Sequence, residues 1–301
     1  MRPSDPTTDA RVAVLIATRG RPTALRRCLE SLATQAVPPG EVLVLDNAGE
    51  APPDVSACPA ARVLRSEVPL GVAAARQLLL DAATAPVALL LDDDAWLATP
   101  GVVGDVRDAF RSDPRLAALA LPICDHRYAP ARWLTPFGTL GQPPQGTRCP
   151  ATYFVGGAHA LRRDAVQAAG GYDASFVYGG EELELSYRLV ARGHTLAFSP
   201  PSVVEHRPEP GPRQRFDPER LAHRVRNRIV LAWRHLPTRY AGVHVASWLA
   251  LYLLEAVRNG ALRAFARGLR DGVRDARTSA RAPMQGDALA YLKAHGGRLW
   301  K

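Results

Sequence analysis

The chain has 301 residues, 47% of them hydrophobic and 22% charged, which is typical of a folded globular protein and not of a disordered chain. The formal net charge is +9, nearly all of the positive charge being arginine, which fits either a GC-rich genome or affinity for phosphates, nucleotides or an anionic membrane. The four cysteines form neither a CxxC pair nor the spacing of a zinc motif, so we expect reduced thiols in a cytoplasmic protein.

Strands and helices alternate along the first hundred residues. Residues 1–10 lack the apolar core of a signal peptide, and we expect a flexible N-terminus there. The apolar runs "RVAVLIAT", "EVLVLDN", "ARVLRS" and "PVALLL" predict strands, and "TALRRCLESLATQ" and "VAAARQLLLDAAT" predict helices between them. This order predicts an α/β fold with a mainly parallel sheet covered on both faces.

Polar residues follow three of these strands at the point where each strand ends. Thr18 and Arg19 follow the first strand, Asp46 and Asn47 end the second, and residues 92–94, three adjacent aspartates, end the fourth. Ligands of open α/β sheets bind at this edge. The sequence therefore predicts a binding site there.

The chain changes character twice after residue 120. Residues 122–150 are rich in proline, glycine and arginine without clear periodicity, and predict a long excursion over the sheet edge. Prolines at 208, 210 and 212 mark a boundary, beyond which residues 217–275 are helical and rich in arginine. The predicted organisation is an N-terminus at 1–10, a catalytic domain at 11–207 and a helical C-terminal segment at 208–301.

Three groups of side chains could carry chemistry. The aspartate triplet is by itself consistent with a solvated turn. However, a second acidic cluster that includes Glu181 and Glu182 opens a later helix, and His206 follows apolar residues near the domain boundary. Carboxylates with an imidazole suit Mg²⁺ or Mn²⁺. Such an ion would also remove the repulsion between adjacent carboxylates.

Six segments, in order, resemble family 2 glycosyltransferases of the GT-A fold, including rhamnosyltransferase-like members. They are "VLIATRGRPTALRRCLESLATQ", "EVLVLDNAG", "PLGVAAARQ" (the family's NxGxxxARN), "LLLDDDAWL" (its DxD motif), "VGGAHALRRDAVQAAGGYDASF" and "GGEELELSYRLVARG" (its ED helix). The resemblance covers roughly residues 11–207. It implies a GT-A nucleotide-diphospho-sugar transferase fold with a helical C-terminal extension, and a hexosyl- or deoxyhexosyl-transferase activity.

The resemblance also implies a donor site. Asp46 matches the residue that accepts a hydrogen bond from pyrimidine N3–H, and Arg76 the arginine that reaches the base or a phosphate. Because uracil and thymine share that face and guanine does not, a UDP- or dTDP-sugar is expected rather than a GDP-sugar. The further residues expected to contact the nucleotide-sugar are Thr18, Arg19, Arg21, Asn47, Gly71, Asp92, Asp93 and Gly157.

The metal and the base are implied in the same way. Asp94, with Asp92 and His206, matches the ligands of an Mg²⁺ or Mn²⁺ ion on the diphosphate. Glu182 aligns with the catalytic base, usually Asp, although Glu181 is the alternative. One base without a second carboxylate as nucleophile fits inversion by single displacement. The resemblance implies a hydroxyl acceptor, on a glycan, lipid-linked or natural-product molecule that the sequence does not identify.

The C-terminal helices allow two interpretations. They form either a cap on the catalytic domain or a basic amphipathic surface for a membrane, which would place a cytoplasmic protein at the membrane's inner face. The stretch at 241–257 is shorter than a spanning helix needs, so we expect no transmembrane span. No recognition module for nucleic acid is visible.

Two rival functions remain at this level. A sugar nucleotidyltransferase would need a glycine-rich loop after the first strand, whereas "TRGRPTALRRC" has a single glycine. A non-catalytic nucleotide-binding scaffold of the same fold would need no catalytic base, and motifs alone do not decide activity.

Overall fold

The computed structural model describes residues 11–208 and 216–300. The N-terminus predicted at 1–10 lies outside these residues, as do most of the residues around the proline-marked boundary. Within the described chain, two β-sheets and their flanking helices precede a helical C-terminal segment.

The larger sheet has eight strands in the order β10-β12-β6-β11-β4-β1-β2-β3. Strands β3, β2, β1 and β4 run parallel, and β11 lies antiparallel between β4 and β6. The expectation of a mainly parallel α/β sheet is confirmed in this half. The strands are β1 (Val12–Thr18), β2 (Glu41–Asn47), β3 (Arg62–Ser66), β4 (Val87–Asp92), β6 (Leu116–Ala120), β10 (Cys149–Ala151), β11 (Ala158–Arg162) and β12 (Thr195–Phe198).

Both faces of this sheet are buried, and β1 illustrates why. Alternate β1 side chains join two separate cores, Ala13 and Leu15 on one face and Val14 and Ile16 on the other. A strand buried on both sides needs apolar residues at every position, which explains the continuous run. The covering helices are α1 (Pro22–Ala33), α2 (Val72–Ala82), α3 (Val102–Ser112), α4 (Arg163–Ala168) and α5 (Glu181–Ala191).

The second sheet lies largely in the segment predicted as an irregular excursion, so that prediction for residues 122–150 was wrong. Its five strands have the order β5-β13-β7-β8-β9. Strands of three or four residues give little periodic signal, and β7 pairs with β13, which lies about 80 residues further along the chain. The strands are β5 (Ala95–Leu97), β7 (Ile123–Asp125), β8 (Arg132–Thr135), β9 (Gly138–Leu140) and β13 (Val204–His206).

The C-terminal segment is helical, as expected, but it is not separate from the catalytic core. Its helices are α6 (Pro218–His235), α7 (Thr238–Arg258), α8 (Leu262–Thr278) and α9 (Gly286–Ala294). Helices α6 and α8 approach closely at Gly268, where an added Cβ would lie 2.5 Å from the Ala222 carbonyl oxygen. Met284 and Leu292 pack into the same core as α2 and α5.

Helix α7 is longer than the sequence suggested. It has 21 residues, and among the described helices it is the one whose length and composition would allow it to cross a membrane, with 22% of its most apolar window buried. Helix α7 is therefore not too short to cross a membrane. Length and composition alone do not separate a span from a surface helix.

Candidate active site

A cleft of about 1040 Å³ opens at the carboxyl ends of β1, β2 and β4. The predicted edge of the sheet therefore does carry a cavity. Helix α6 and the residues just before it form its far wall. Predicted site residues that line the cleft are Thr18, Arg19, Arg21, Asn47, Arg76, Asp92, Asp94 and His206, and unpredicted ones include Arg127, Phe216, Arg220 and Arg224.

The three aspartates point in different directions, because β4 ends at Asp92 and a turn follows. The Asp92 side chain is 44% exposed and faces the cleft, whereas Asp94 is 6% exposed. Asp93 is fully buried. The guanidinium of Arg21 forms ion pairs with both Asp93 and Asp94. This arginine supplies the positive charge that a buried carboxylate pair requires.

Asp93 does not fit its predicted contact with the nucleotide-sugar. Its carboxylate accepts a hydrogen bond of 2.7 Å from the Thr18 hydroxyl, and it is absent from the lining of the cleft. Burial raises the pKa of Asp93 to about 7, although Arg21 and Thr18 act in the opposite direction. Asp93 therefore positions Arg21 and the end of β1.

His206 lies between two carboxylates. Its Nε2 is 3.3 Å from Asp94 Oδ1, and its Nδ1 is 3.3 Å from Asp125 Oδ1. Burial lowers the pKa of His206, but the hydrogen bonds to Asp125 and Asp94 outweigh it and raise the pKa to about 9. Asp125 was missed because it lies in the segment read as irregular, and "PICDHR" was its only local signal.

Asp92, Asp94 and His206 form a group suited to a metal ion. One ligand atom from each lies within 4.8 Å of the others. The two carboxylates supply the oxygen donors that Mg²⁺ and Mn²⁺ prefer, and the imidazole adds a nitrogen donor, which Mn²⁺ accepts more readily than Mg²⁺. The donor set therefore fits the predicted ion.

Arg76 joins the aspartate side of the site to the glutamate pair. Its guanidinium is 3.6 Å from Asp92, 3.3 Å from Glu181 and 3.2 Å from Glu182, and it donates a 2.8 Å hydrogen bond to the Gly156 carbonyl oxygen. These contacts engage the guanidinium on several sides. Its partners are thus the Gly156 carbonyl oxygen and three carboxylates, and contact with a base or phosphate remains a prediction.

The two glutamates at the start of α5 differ in environment. Glu181 is 4% exposed, and burial followed by the charge of Glu182 raises the pKa of Glu181 to about 8. The Glu182 side chain is 19% exposed, and its carboxylate lies beside Gly156. Accessibility therefore favours Glu182 over Glu181 as the carboxylate able to meet an acceptor, although neither is among the residues lining the cleft.

The remaining predicted donor residues are engaged with the protein itself. Asp46 is 2% exposed, accepting a 2.8 Å hydrogen bond from the Gly49 amide and pairing with Arg65 at 3.2 Å. Asn47 lines the cleft and holds the chain at Leu70 through two hydrogen bonds.

The two predicted donor glycines make backbone contacts next to the site. Gly71 packs against Val177, where a Cβ would lie 3.0 Å from the carbonyl oxygen. The Gly157 carbonyl oxygen accepts a 3.0 Å hydrogen bond from the Asp92 amide. Asp46, Gly71 and Gly157, like Asp93, are absent from the cleft lining, so any donor contact there requires rearrangement.

Comparison with known proteins agrees with this architecture. The sequence profile of glycosyl transferase family 2 matches residues 13–170, and no curated protein matches. The structure of S. aureus TarS 1-349 superposes with a TM-score of 0.58 at 14% identity, covering 86% of this chain and 81% of that one. GalNAc-T7 with UDP, GalNAc and Mn²⁺ gives 0.56 at 18% identity, covering 73% of this chain but only 48% of that one.

A third similar structure is the mannosyltransferase PcManGT from Pyrobaculum calidifontis in complex with GDP-Man and Mn²⁺. Its TM-score is 0.53 at 18% identity, with 96% of this chain and 80% of that chain covered. At these identities the likeness shows the GT-A fold alone. The solved structures hold both UDP and GDP-Man, so the fold does not decide the donor.

Proposed function

This chain belongs to glycosyl transferase family 2, and on that premise we propose that it transfers a sugar from a UDP- or dTDP-sugar to an acceptor hydroxyl. The observation that carries the proposal is the cleft at the strand ends, which has Asp92, Asp94 and His206 on one side and leads through Arg76 to the glutamate pair. A donor bound at the aspartates would present its anomeric carbon toward the glutamates.

The proposed pyrimidine preference depends on the end of β2. Asp46 would accept the N3–H of uracil or thymine, which requires Arg65 to release one carboxylate oxygen. Arg65 is 44% exposed and can do so at low cost. Guanine also offers an N1–H donor, so the proposed preference rests on the match of Asp46 to the family's pyrimidine-binding position.

The proposed cofactor is Mg²⁺ or Mn²⁺ held by Asp92, Asp94 and His206. Bound there, the ion would stabilise the negative charge that develops on the leaving nucleoside diphosphate. Asp125 orients the imidazole through Nδ1, so that Nε2 faces Asp94. Arg21 neutralises the buried Asp93 and holds the turn that carries Asp94.

Glu182 is the proposed base for inversion by single displacement. Its carboxylate takes the proton of the acceptor hydroxyl as that oxygen forms a bond to the anomeric carbon and the bond to the diphosphate breaks. Arg76, at 3.2 Å, holds the Glu182 carboxylate in place before the acceptor arrives.

Matched variants of the two glutamates test this assignment. Glu182→Gln should abolish transfer while the UDP-induced thermal shift with Mn²⁺ is retained, and Glu181→Gln serves as the control because it keeps Glu182 intact. If Glu182→Gln keeps turnover, Glu182 is not the base. If neither UDP nor dTDP stabilises the wild-type protein, with or without Mn²⁺, the proposed pyrimidine donor is wrong, whereas stabilisation without any turnover favours the nucleotide-binding scaffold.

We propose further that the protein is cytoplasmic and rests on the inner face of the membrane through α7 and α8. The exposed face of α8 carries an apolar stripe beside an arginine stripe, and the exposed face of α7 is apolar between its terminal arginines. Both are typical of interfacial helices. The residues are Val243, Leu251, Leu253, Leu254, Val257, Leu262, Leu269 and Val273, with Arg263, Arg270, Arg274 and Arg277 beside them.

This position would bring a lipid-linked acceptor close to the cleft, since Arg224 and Glu255 line the cleft and join α6 to α7. The test is flotation with liposomes that contain anionic lipid. Leu254→Glu with Leu269→Glu should abolish flotation, whereas Val68→Glu, at an exposed valine of the catalytic domain, should not. If the wild-type protein does not float, this surface does not contact a membrane.

A further inference from the structure

The small sheet has two faces, and only one of them belongs to the proposed active site. Residues paired in register across β5, β13 and β7 share a face, so Ala95, His206 and Asp125 form one row. The neighbouring row, on the opposite face, consists of Trp96, Glu205 and Cys124, extended by Trp133 on β8.

On this opposite face, Cys124 and Glu205 form a cluster of possible metal ligands together with His126. Cys124 Sγ lies 3.9 Å from His126 Nε2, and His126 Nε2 contacts the Glu205 carboxylate. The ligand atoms of all three residues lie within 4.8 Å of one another. A thiol, an imidazole and a carboxylate at these separations need only a small outward movement to surround one ion.

We propose that Cys124, His126 and Glu205 form a zinc site distinct from the proposed Mg²⁺ or Mn²⁺ site. Zn²⁺ accepts sulfur, nitrogen and oxygen ligands together in tetrahedral geometry, whereas Mg²⁺ and Mn²⁺ prefer oxygen donors to thiolate. On binding, the thiol of Cys124 loses its proton to solvent, and its sulfur becomes the ligand.

The ligands are held in place before any ion binds. Cys124 and Glu205 are neighbours on paired strands, and the His126 amide donates a 2.9 Å hydrogen bond to the His206 carbonyl oxygen. The His126 ring stacks on Trp96 at 6.5 Å between centroids, and the Arg27 guanidinium covers the Trp96 ring at 3.6 Å. Little chain entropy remains to be lost when the ion binds.

Cys124 is 7% exposed, whereas the side chains of His126 and Glu205 are 27% and 25% exposed. The fourth coordination position therefore faces solvent and takes a water molecule. The ion would fasten β7 to β13, and β13 carries His206 on its other face. The zinc site thus supports the strand that supplies a ligand to the proposed active site.

Cobalt substitution separates this site from the other, because only a thiolate gives the near-ultraviolet sulfur-to-Co²⁺ charge-transfer band. The purified full-length protein is titrated with Co²⁺, and Zn²⁺ is then added to displace it. The variants are Cys124→Ser and His126→Ala, with Cys58→Ser as the cysteine control and Asp94→Asn as the control for the other site. Circular dichroism and a cooperative thermal unfolding transition without ligand report whether each variant folds.

We expect one equivalent of Co²⁺ to give the band and Zn²⁺ to remove it. The band should disappear in Cys124→Ser, while Cys58→Ser and Asp94→Asn keep it. Loss of a residue that only hydrogen-bonds to a metal ligand weakens metal binding roughly 10- to 100-fold. Because His126 would be a direct ligand, His126→Ala should weaken Zn²⁺ binding by more than this. Absence of the band in the wild-type protein, or its persistence in a folded Cys124→Ser variant, overturns the proposal.

Discussion

Gly156 gives the sharpest test of where the catalytic base lies. An alanine methyl group at this position would lie 2.0 Å from Glu182 Oε1 and 2.9 Å from Arg76 Nη2. Because real Cβ contacts essentially never fall below 3.0 Å, the carboxylate must retreat by at least about 1 Å. Gly156 does not have a positive φ, so alanine fits its backbone conformation.

The Gly156→Ala variant should therefore fold and bind nucleotide but transfer sugar slowly. A displacement of about 1 Å in a positioned catalytic group costs roughly 10²-fold in rate, or about 2.7 kcal/mol of transition-state stabilisation. The assay is steady-state release of nucleoside diphosphate, with donor affinity measured separately by thermal shift.

Gly141→Ala is the matched control, because its added methyl group meets nothing within 4 Å. We expect this variant to transfer sugar at the wild-type rate. If the kcat of Gly156→Ala falls by less than about tenfold, a loss of less than about 1.4 kcal/mol of transition-state stabilisation, the placement of Glu182 as the base is refuted.

Three further predictions follow from the contacts described. Asp94→Asn should abolish the Mn²⁺-dependent part of the nucleotide thermal shift, which at about 100 times Kd is worth roughly 2.7 kcal/mol; an undiminished shift would place the ion elsewhere. Because burial and the charge of Glu182 raise the folded-state pKa of Glu181, protonation of Glu181 stabilises the fold below its ordinary pKa, and this stabilisation is lost as pH rises through the raised pKa; urea denaturation should show stability falling over that range, and Glu181→Gln should reduce the fall. Gly268→Leu should destabilise the protein by about 1–3 kcal/mol in the same assay, because the Ala222 backbone cannot yield, whereas Gly242→Ala, with open space around it, should not.

The large sheet and the edge that carries the cleft could be predicted because both depend on local patterns. Continuous apolar runs identify doubly covered strands, and parallel strands bring their carboxyl ends together. Thr18, Asn47 and Asp92 were therefore placed at one edge from their positions in the chain alone.

The orientation of individual side chains could not be predicted in this way. The turn after β4 directs Asp93 into the protein and Asp92 into the cleft, and nothing in three identical residues distinguishes them. Arg65 and Gly49 engage Asp46 through contacts that appear only when β2 and β3 pair.

The small sheet was missed for a related reason. Its strands are short, and its pairing of β13 with β5 and β7 joins segments that are distant in the chain. Asp125 acquires its position beside His206 only through that pairing. Sequence patterns report local periodicity and carry little information about such long-range partners.

The order in which the chain is synthesised suggests a role for the Arg21 ion pairs during folding. His206 leaves the ribosome more than 100 residues after the aspartate triplet, so β13 cannot complete the site until late in folding. Arg21 precedes the triplet and pairs with Asp93 and Asp94 from the start of α1. A nascent chain can therefore pair β1 with β4 while Arg21 neutralises Asp93 and Asp94, before His206 has been synthesised.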